Sequence, residues 1–488
     1  MTGAASTAGD TFVRLDATAQ ADLARRGEAT PLELVEAAIA RIERVDNLLN
    51  AVTARTFEAA RTWARAMAVD SRKRPQDAPF YGVPYLVKDL SALKDAPLTY
   101  GSRYFAGYTA RRDEPVIARS IEAGLVPLGK TNTPEFGLLG STESMLHGPV
   151  RNPWSLAHSV GGSSGGAAAA VAAGLTPIAS GGDGGGSIRI PASCCGVFGL
   201  KPSRGRALDP LRQGPGGLSV ALGLSRSVRD TAALLSVLER ADRKAPFERL
   251  GLVEGPSSRR LRIAVARLSI NGDEPGPEVA EALEETAKLC RDLGHSVEEA
   301  EPEIERDEAV QRFLVCWAAV PAKLRRNLWL LRLKDWNWAP EEECFEPWSL
   351  GLAEWFRERG RRERGMVRRS ERFFAALAAT YAEFFERYDL ILSPVTRHPP
   401  ALLGEHAPTV PFAELLERSI DFVSYTPVHN AIGTPAMSVP LSITASGLPI
   451  GSQFAARAGD ERSLLELAYE LEAARPWADD WPPVSAAV

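Results

Sequence analysis

The chain has 488 residues, of which 45% are hydrophobic, 24% charged and 7% aromatic, and its formal net charge at pH 7 is −5. These fractions are typical of a globular protein that buries a large core without disulfides or metal ions. The acidic balance argues against nucleic-acid binding, because such proteins usually carry a strongly basic face. No run of about 18 apolar residues predicts a membrane span, and residues 1–15 lack the basic and apolar regions of a secretory signal.

The cysteines and histidines predict neither a disulfide framework nor a metal centre. Five cysteines lie at positions 194, 195, 290, 316 and 344, and no CxxC pair occurs. An odd number without that pairing indicates reduced thiols and a cytoplasmic location. The six histidines form no HExxH or HxH pattern, so we expect no metal and no cofactor.

The first 75 residues predict a helical segment. Thr30, Pro31 and Glu33 form a capping box with proline at the first helical position. The apolar residues that follow recur at i, i+3 and i+4 as far as Val45, which predicts one buried helical face. A second helix is predicted from about residue 54 to residue 70.

From residue 76 onward, short apolar stretches typical of strands alternate with helical patterns. The predicted strands cover 82–87, 125–128, 261–265, 295–299, 390–393 and 437–443, and the predicted helices cover 115–123, 167–173 and 277–293. This alternation favours an α/β fold in which helices cover both faces of a sheet.

Residues 302–388 differ in composition and predict a helical insertion. Six of the ten tryptophans lie there, together with the basic run from Arg357 to Arg372. The basic run is typical of a solvated helix face. The tryptophans fit three interpretations: an apolar substrate pocket, the core of the insertion, or a partner surface. No linker separates domains, so we treat 1–488 as one domain with residues 76–240 as its core.

Two short motifs match the sequences of catalytic patterns but lack the predicted structure that those patterns require. Residues 124–131, GLVPLGKT, match the phosphate-binding loop, but the letters between the glycines predict a strand and the proline lacks an N–H donor. Residues 161–165, GGSSG, match the GxSxG nucleophile elbow, which requires a buried strand just upstream. Residues 151–160 are polar and contain proline, and His429 is the best placed histidine for a triad. We therefore expect neither an NTPase nor an α/β-hydrolase.

Three other segments carry residue types that fit acyl transfer. Residues 82–89, GVPYLVKD, end an apolar strand on Lys88, and burial would lower the pKa of this lysine and let it act as a base. Residues 159–166, SVGGSSGG, surround two serines with four glycines that permit close backbone approach. Residues 180–191, SGGDGGGSIRIP, place three glycines before Ser187, where their N–H groups can form an oxyanion hole. Each segment alone also fits an ordinary structure: a strand-end lysine in solvent, a flexible loop or anion nest, and a glycine turn between strands.

In this order, the three segments resemble the amidase signature family of serine hydrolases. Residues 129–136 (GKTNTPEF), 151–154 (RNPW), 425–440 (YTPVHNAIGTPAMSVP) and 447–453 (GLPIGSQ) extend the resemblance, which is weakest between about 240 and 385. It implies a large twisted mixed β-sheet core flanked by helices, and a Ser–cis-Ser–Lys triad. In this triad Ser187 is the nucleophile, Ser163 is the bridging serine after a cis peptide bond, and Lys88 is the base.

The resemblance also implies supporting roles around the triad. The other residues it carries over are the oxyanion positions Gly184, Gly185 and Gly186, with the Ser187 N–H, and the supporting residues Ser164, Asp183 and Arg189. The chain departs from the family pattern because glycines flank Asp183 where the family usually has a threonine or serine before it and a larger residue after it. This departure predicts a looser loop, with weaker oxyanion stabilisation or a roomier pocket. Ala167 replaces a common serine, without an expected effect.

Within the family, this chain looks most similar to hydrolases of the 6-aminohexanoate cyclic dimer. The similarity implies a small-molecule amide substrate, linear or cyclic, and no nucleic-acid or membrane partner. Carbamate or aryl-acylamide hydrolysis on the same triad stays open, as do an amidotransferase subunit that needs a partner and a homodimer. The intact triad disfavours a catalytically dead binding protein. Cys316 and Trp317 are candidates for the substrate pocket, and buried packing is the alternative for Cys316.

Overall fold

The structure is a computed structural model that describes residues 11–69, 78–208, 215–335 and 339–488. The helices are α1 (Ala17–Arg26), α2 (Pro31–Leu49), α3 (Phe57–Val69), α4 (Pro115–Glu122), α5 (Gly165–Ala172), α6 (Arg189–Cys195), α7 (Val228–Leu238), α8 (Pro277–Asp292), α9 (Arg306–Arg326), α10 (Leu328–Asp335), α11 (Glu341–Cys344), α12 (Pro347–Arg362), α13 (Met366–Arg387), α14 (Phe412–Phe422), α15 (Pro427–Ile432) and α16 (Glu461–Ala474). The strands are β1 (Val52–Arg55), β2 (Pro84–Lys88), β3 (Val126–Thr131), β4 (Glu143–Ser144), β5 (Gly148–Pro149), β6 (Arg151–Asn152), β7 (Ser155–Ser159), β8 (Ile178–Asp183), β9 (Phe198–Lys201), β10 (Val220–Ser225), β11 (Arg262–Val265), β12 (Ser296–Glu299), β13 (Leu390–Pro394), β14 (Ala436–Ile443) and β15 (Pro449–Ala456). None of the helices described is long and apolar enough to span a membrane.

One sheet of eleven strands forms the core, in the order β1-β3-β2-β8-β10-β9-β14-β15-β13-β11-β12. Strands β3, β2 and β8 run parallel to one another, as do β13, β11 and β12. The other neighbouring strands are antiparallel. This mixed sheet with its helices confirms the expected α/β fold.

The N-terminal part contains one strand that the sequence did not predict. Helix α2 begins with the expected capping box, in which Thr30 Oγ1 accepts from Glu33 N at 3.2 Å and Glu33 Oε2 accepts from Thr30 N at 2.7 Å. The second predicted helix starts at Phe57 rather than near residue 54, because Val52–Arg55 pair with β3 as an edge strand. The β-branched residues at 52 and 53 favour this extended conformation.

The lysine of the phosphate-loop motif lies inside the core. Residues 126–131 form β3, as the strand interpretation predicted, and all six are buried. Lys130 Nζ donates to Ser91 O at 2.5 Å and lies 3.3 Å from the Asp89 carboxylate. Because this charge is neutralised within the protein, the segment is not a phosphate cradle.

A strand does precede the GxSxG motif, but it is not the buried strand that a nucleophile elbow requires. The sequence predicted no strand in 151–160, whereas β7 forms, pairs with β6 and bridges from His158 to Leu402, outside the central sheet. The Asn152 side chain stabilises this hairpin by donating to Ser159 O at 2.9 Å. His429 Nδ1 shares a 3.0 Å hydrogen bond with Thr434 Oγ1. No hydrogen bond described for His429 reaches a serine, so the arrangement is not a Ser–His–Asp triad.

The parallel pairing of β2 and β8 brings the predicted site segments to one edge of the sheet. Leu86 lies opposite Ala179, so β2 ends on Lys88 at the same edge where β8 ends on Asp183. The turn that carries Ser187 follows β8, and α5, which follows the two central serines, packs against both strands. The carboxyl ends of parallel strands are the usual location of sites in such sheets.

Helices α9 to α13 fill most of residues 302–388. The arginines of the basic run are largely exposed, and Arg359 pairs with Glu363 at 3.1 Å along the same helix. Trp348 Nε1 donates to Leu138 O at 2.7 Å, which attaches α12 to the core. Trp329 is 59% exposed, and two further tryptophans of this region, 336 and 338, lie outside the described residues.

Candidate active site

Lys88 lies inside the protein with its amine surrounded by oxygen atoms. The residue is 2% exposed, and Nζ donates to Ser163 Oγ at 2.8 Å, to Ser164 Oγ at 2.8 Å and to Gly182 O at 3.3 Å. Burial lowers the pKa of Lys88 to about 7, although the negative charge of Asp183 acts in the opposite direction. The alternative of a strand-end lysine in solvent is therefore excluded, and much of the amine is neutral near pH 7.

Ser163 is held on this amine by a tightly packed backbone. The peptide bond between Gly162 and Ser163 is cis, and Ser163 O accepts from Thr133 Oγ1 at 2.9 Å. A Cβ atom on Gly162 would lie 2.3 Å from Ser141 O, so no larger residue fits there. Ser164, for which a supporting role was expected, contacts the Lys88 amine directly.

Ser187 lies where the loop after β8 meets an internal cavity. It is 6% exposed and lines that cavity, and its carbonyl accepts from Ser164 N at 3.2 Å. This backbone bond joins the two serine segments. The Ser187 hydroxyl donates to none of the residues described here, so proton transfer between Ser187 and Ser163 stays a prediction.

A buried ion pair supports the loop. Arg189 Nη2 donates to Asp183 Oδ1 at 2.9 Å and Arg189 Nε donates to Asp183 Oδ2 at 3.0 Å. The same carboxylate accepts from Gly186 N at 2.7 Å and from Ile188 N at 3.1 Å. Burial alone would raise the pKa of Asp183, but the positive charge of Arg189 holds it well below its usual value. The carboxylate is therefore charged and fixes the backbone on both sides of Ser187.

Three polar residues that the sequence analysis left without a role complete this network. Arg189 donates to Gln453 Oε1 at 2.7 Å and to Asn430 Oδ1 at 2.6 Å. Thr426 Oγ1 donates to Gly185 O at 2.6 Å. All three lie in the C-terminal segments that resemble the family. The sequence feature that could have identified them is a polar residue inside an otherwise apolar motif.

Only part of the expected oxyanion set is open to a substrate. Gly186 N is bonded to Asp183, so this N–H supports the loop instead of facing a ligand. In the described part of the chain, the N–H groups of Gly184, Gly185 and Ser187 donate to no acceptor. These three amides are the expected oxyanion donors that have no other acceptor, beside the expected nucleophile Ser187.

Two aromatic rings of α9 cover the glycines of this loop. A Cβ atom on Gly184 or Gly185 would lie 3.4 Å from Trp317 Cζ3, and one on Gly185 would lie 3.0 Å from Phe313 Cζ. The two rings are stacked, with centroids 5.5 Å apart. The rings therefore pack against the loop at the positions where the departure from the family pattern leaves no side chains.

The cavity beside Ser187 has a volume of about 80 Å³ and a mainly apolar wall. Its lining residues are Leu138, Leu139, Gly140, Gly162, Gly185, Ser187, Ile190, Ile270, Asn271, Val310, Phe313, Leu314, Trp317, Trp348, Leu416, Ser419, Ile420, Val423 and Pro427. Trp317 thus lines the cavity, as expected for a pocket candidate. Cys316 is not in this lining: it packs in the core against Gly216, and burial raises the pKa of its thiol to about 11.

The other thiols and the candidate metal ligands contribute nothing further to this site. All five cysteines are free and buried, and burial raises the pKa of the Cys194 thiol to about 12. Within the described ranges, no three His, Cys, Asp or Glu side chains are grouped so that they could hold a metal ion.

Comparison with known proteins identifies the family. The amidase family matches residues 33–465. The chain is 39% identical over 482 residues to the putative amidase AmiC of Mycobacterium tuberculosis, covering 96% of both chains. It is 37% identical over 500 residues to the 6-aminohexanoate-cyclic-dimer hydrolase of Paenarthrobacter ureafaciens, covering 95% of both.

A solved structure of a 6-aminohexanoate cyclic dimer hydrolase superimposes with a TM-score of 0.85 and 34% identity, covering 97% of this chain and 100% of the other. The resemblance drawn from the motifs is thereby confirmed, both for the family and for the similarity to enzymes of this type. The chain belongs to the amidase signature family and is an amidase, a hydrolase that acts on amide bonds.

Proposed function

We propose that this amidase cleaves the C–N bond of small neutral amides through an acyl-enzyme on Ser187, with Ser163 and Lys88 relaying the proton. The observation that carries the proposal is the buried Lys88 amine, 2.8 Å from Ser163 Oγ and beside the cavity that Ser187 lines. A pKa of about 7 lets this amine accept a proton near neutral pH.

The hydrogen bonds of Lys88 support one direction of proton transfer. Gly182 O can only accept, and Ser164 Oγ donates to the same carbonyl at 3.3 Å, so the Ser164 oxygen accepts from the amine. A neutral amine then uses its two N–H groups on Gly182 and Ser164. Its lone pair is left for the proton of Ser163.

The proposed reaction starts when Ser187 Oγ attacks the carbonyl carbon of the substrate. Ser163 takes the proton of Ser187 and passes its own proton to Lys88. The same relay in reverse gives a proton to the leaving nitrogen, the C–N bond breaks, and the acyl group stays on Ser187. A water molecule then attacks this ester while its proton passes through Ser163 to Lys88. The bond between the acyl carbon and Ser187 Oγ breaks, the relay returns the proton to Ser187, and the acid is released.

The amides of Gly184, Gly185 and Ser187 are the proposed donors to the oxyanion. Negative charge develops on the substrate oxygen only during attack, so donors fixed in advance stabilise the transition state more than the bound amide. The ion pair of Asp183 with Arg189 fixes the loop that carries these amides. Loss of one oxyanion donor typically lowers kcat by about 10²–10³.

The cavity supports a neutral, apolar substrate. No charged side chain is among its lining residues in the described part of the chain, and burying a charge there without a partner would be unfavourable. The relatives named for the 6-aminohexanoate cyclic dimer, a small neutral amide, support the same class. Residues 302–388, whose helices supply Phe313 and Trp317, are proposed to shape this pocket.

Aryl acylamides are a second candidate substrate class. The stacked rings of Phe313 and Trp317 lie over the oxyanion loop with an interplanar angle of 24°. An aryl group entering the cavity would contact flat aromatic faces, an arrangement that proteins commonly use to bind aromatic ligands. Carbamates would use the same triad.

A fluorophosphonate probe tests the nucleophile directly. The wild type should be labelled, and Ser187→Ala should be neither labelled nor active while its circular dichroism stays unchanged. Ser163→Ala retains the nucleophile and should react much more slowly. Substantial turnover by Ser187→Ala would contradict the assignment.

A substrate panel tests the class of bond. Purified protein alone should cleave members of a panel of simple amides, anilides, carbamates and 6-aminohexanoate oligomers. A requirement for ATP, tRNA or a second chain would favour the amidotransferase-type alternative instead. Light scattering on the same preparation reports whether the predicted homodimer forms. The cytoplasmic location stays a prediction, supported by the five free thiols.

A further inference from the structure

The peptide group between Gly185 and Gly186 is held at both ends. Its N–H, on Gly186, donates to Asp183 Oδ1 at 2.7 Å. Its carbonyl, on Gly185, accepts from Thr426 Oγ1 at 2.6 Å. The N–H and the carbonyl of a trans peptide point in opposite directions, so Asp183 and Thr426 hold this group from opposite sides. Glycine on both sides leaves the backbone free to rotate, and the two hydrogen bonds remove that freedom.

The held peptide lies between two of the proposed oxyanion donors. The Gly185 N–H comes before it along the chain and the Ser187 N–H comes after it. The peptide of the Ser187 N–H has its own hold, because its carbonyl, on Gly186, accepts from Ile190 N at 2.7 Å. No hydrogen bond is described for the carbonyl of Gly184, in the peptide of the Gly185 N–H. The direction of the Gly185 N–H therefore depends on the neighbouring peptide that Thr426 holds.

The hydroxyl of Thr426 reaches the loop from a distant segment of the chain and packs tightly against it. Thr426 is fully buried, and its own carbonyl accepts from Arg189 Nη1 at 3.0 Å, so the ion-pair network fixes it in turn. A Cβ atom on Gly186 would lie 2.2 Å from Thr426 Oγ1, and Gly186 has a φ of 127°, which favours glycine. Residue 186 must therefore be glycine for this hydroxyl to reach the loop.

We propose that Thr426 is a positioning residue for the oxyanion hole. Its hydroxyl acts through the carbonyl of Gly185 and holds the loop so that the N–H groups of Gly185 and Ser187 meet the oxygen of the tetrahedral intermediate. Thr426 itself is not among the residues that line the cavity. The role rests on the proposed function and adds to it a residue from the C-terminal part of the chain. Because the substrate oxygen gains its charge only during attack, loss of this hold should lower kcat and leave KM nearly unchanged.

Two variants that differ only in the hydroxyl test the role. Thr426→Ala should lower kcat about tenfold to 10²-fold, less than the loss of a whole donor, because the N–H groups remain but are displaced. KM should stay within about twofold of the wild type, and Thr426→Ser should recover most of the rate. The matched control is Thr286→Ala, which removes a buried hydroxyl of α8 that donates to Ala282 O at 2.9 Å. This control should keep the wild-type kcat.

A transition-state analogue separates positioning from a general effect on the fold. The probe is a trifluoromethyl ketone with the acyl group of the amide that the wild type cleaves fastest. Ser187 Oγ adds to its carbonyl, and the carbonyl oxygen takes the negative charge. The inhibition constant of the ketone should rise across the variants by the factor by which kcat/KM falls. Binding of the amide itself should be equal in Ser187→Ala and in Ser187→Ala with Thr426→Ala, and the pH midpoint should not move.

Four outcomes would overturn the positioning role. They are an unchanged kcat in Thr426→Ala, an equal loss in Thr426→Ser, a fall in kcat/KM without weaker binding of the ketone, and a shifted pH midpoint. If Thr426→Ala does not fold, Thr426→Val, which keeps the volume, replaces it in each comparison. The wild type separates the two proposals. Absence of amide hydrolysis and of a ketone adduct on Ser187 would refute the proposed function, whereas full activity in Thr426→Ala would refute only the positioning role.

Discussion

The rate of amide hydrolysis should rise with pH through about 7, because only the neutral amine of Lys88 can accept a proton. Burial is the main cause of the low pKa, and the negative charge of Asp183 partly offsets it. The amine lies 2.8 Å from Ser163 Oγ, so its protonation state acts directly on the proposed relay. Protonated Lys88 would hold Ser163 but could not receive its proton.

The size of the effect follows from the two pKa values. With a pKa of about 7 in place of 10.5, about half of the molecules carry the neutral amine at pH 7, whereas an ordinary lysine would leave roughly one in 3000 neutral. Burial thus increases the population of active base by about 10³ at this pH. We expect kcat/KM to rise about tenfold per pH unit well below 7 and to level off above about pH 8.

A second buried lysine provides the control for this experiment. Burial, with the nearby positive charge of Arg189, lowers the pKa of Lys201 also to about 7, but its Nζ donates to Pro202 O at 2.8 Å rather than to a serine. Lys201→Met should keep the midpoint of kcat/KM against pH. Lys88→Met should lose this midpoint, and its rate should fall by several orders of magnitude. A flat profile between about pH 6 and 9, or a midpoint that vanishes only in Lys201→Met, would refute Lys88 as the base.

Three further substitutions test the surroundings of the site. Gly185→Ala places a methyl group 3.0 Å from Phe313 Cζ and should lower kcat/KM about tenfold with little change in the unfolding midpoint; unchanged kinetics would contradict this. Arg189→Met leaves the buried Asp183 carboxylate unpaired and should reduce the free energy of unfolding in urea by about 3–5 kcal/mol, so wild-type stability would count against it. Burial and a neighbouring carboxylate raise the pKa of Glu346 to about 8, so the folded protein keeps a proton that the unfolded chain, with a pKa near 4.5, releases. The free energy of unfolding of the wild type should therefore fall between about pH 5 and 8. Relative to the wild type, the free energy of unfolding of Glu346→Gln should rise by up to about 1.4 kcal/mol per pH unit over this range; free energies that change in parallel with pH would refute this.

The sequence predicted those strands best whose own residues are apolar. Strand β2 (PYLVK) and strand β13 (LILSP) are each apolar but for one polar residue, and both form close to their predicted bounds. Strand β8, with the sequence IASGGD, was not predicted, because four of its six residues are glycine or polar residues that disfavour strands in isolation. Its conformation depends on pairing with β2 and β10, which are distant in sequence.

Side-chain direction explains why one pocket candidate lines the cavity and the other does not. Val310, Phe313, Leu314 and Trp317 line the cavity and recur along α9 at i, i+3, i+4 and i+7, the spacing of one helical face. Cys316 is one residue away from Trp317, which rotates it about 100° around the helix axis. Helical periodicity could have separated the two residues, but only once the cavity-facing side of α9 was known.

The donor set of the oxyanion hole required coordinates for a different reason. The motif identified four N–H groups near Ser187, and they are equivalent in the sequence. The hydrogen bond from Gly186 N to the Asp183 carboxylate distinguishes this amide from the other three, which have no acceptor among the described residues. Such a bond depends on the turn conformation, which the run of glycines leaves open.

The glycines after Asp183 and the rings of α9 form a matched set. Since Gly185 has no side chain, Phe313 approaches its backbone to a distance at which a Cβ atom would be only 3.0 Å from Cζ of the ring. An aromatic wall beside unpaired N–H groups keeps water away from them, and electrostatic interactions strengthen where water is excluded. The weaker oxyanion stabilisation expected from these glycines therefore stays a prediction, which the kinetics of the glycine-to-alanine variant test.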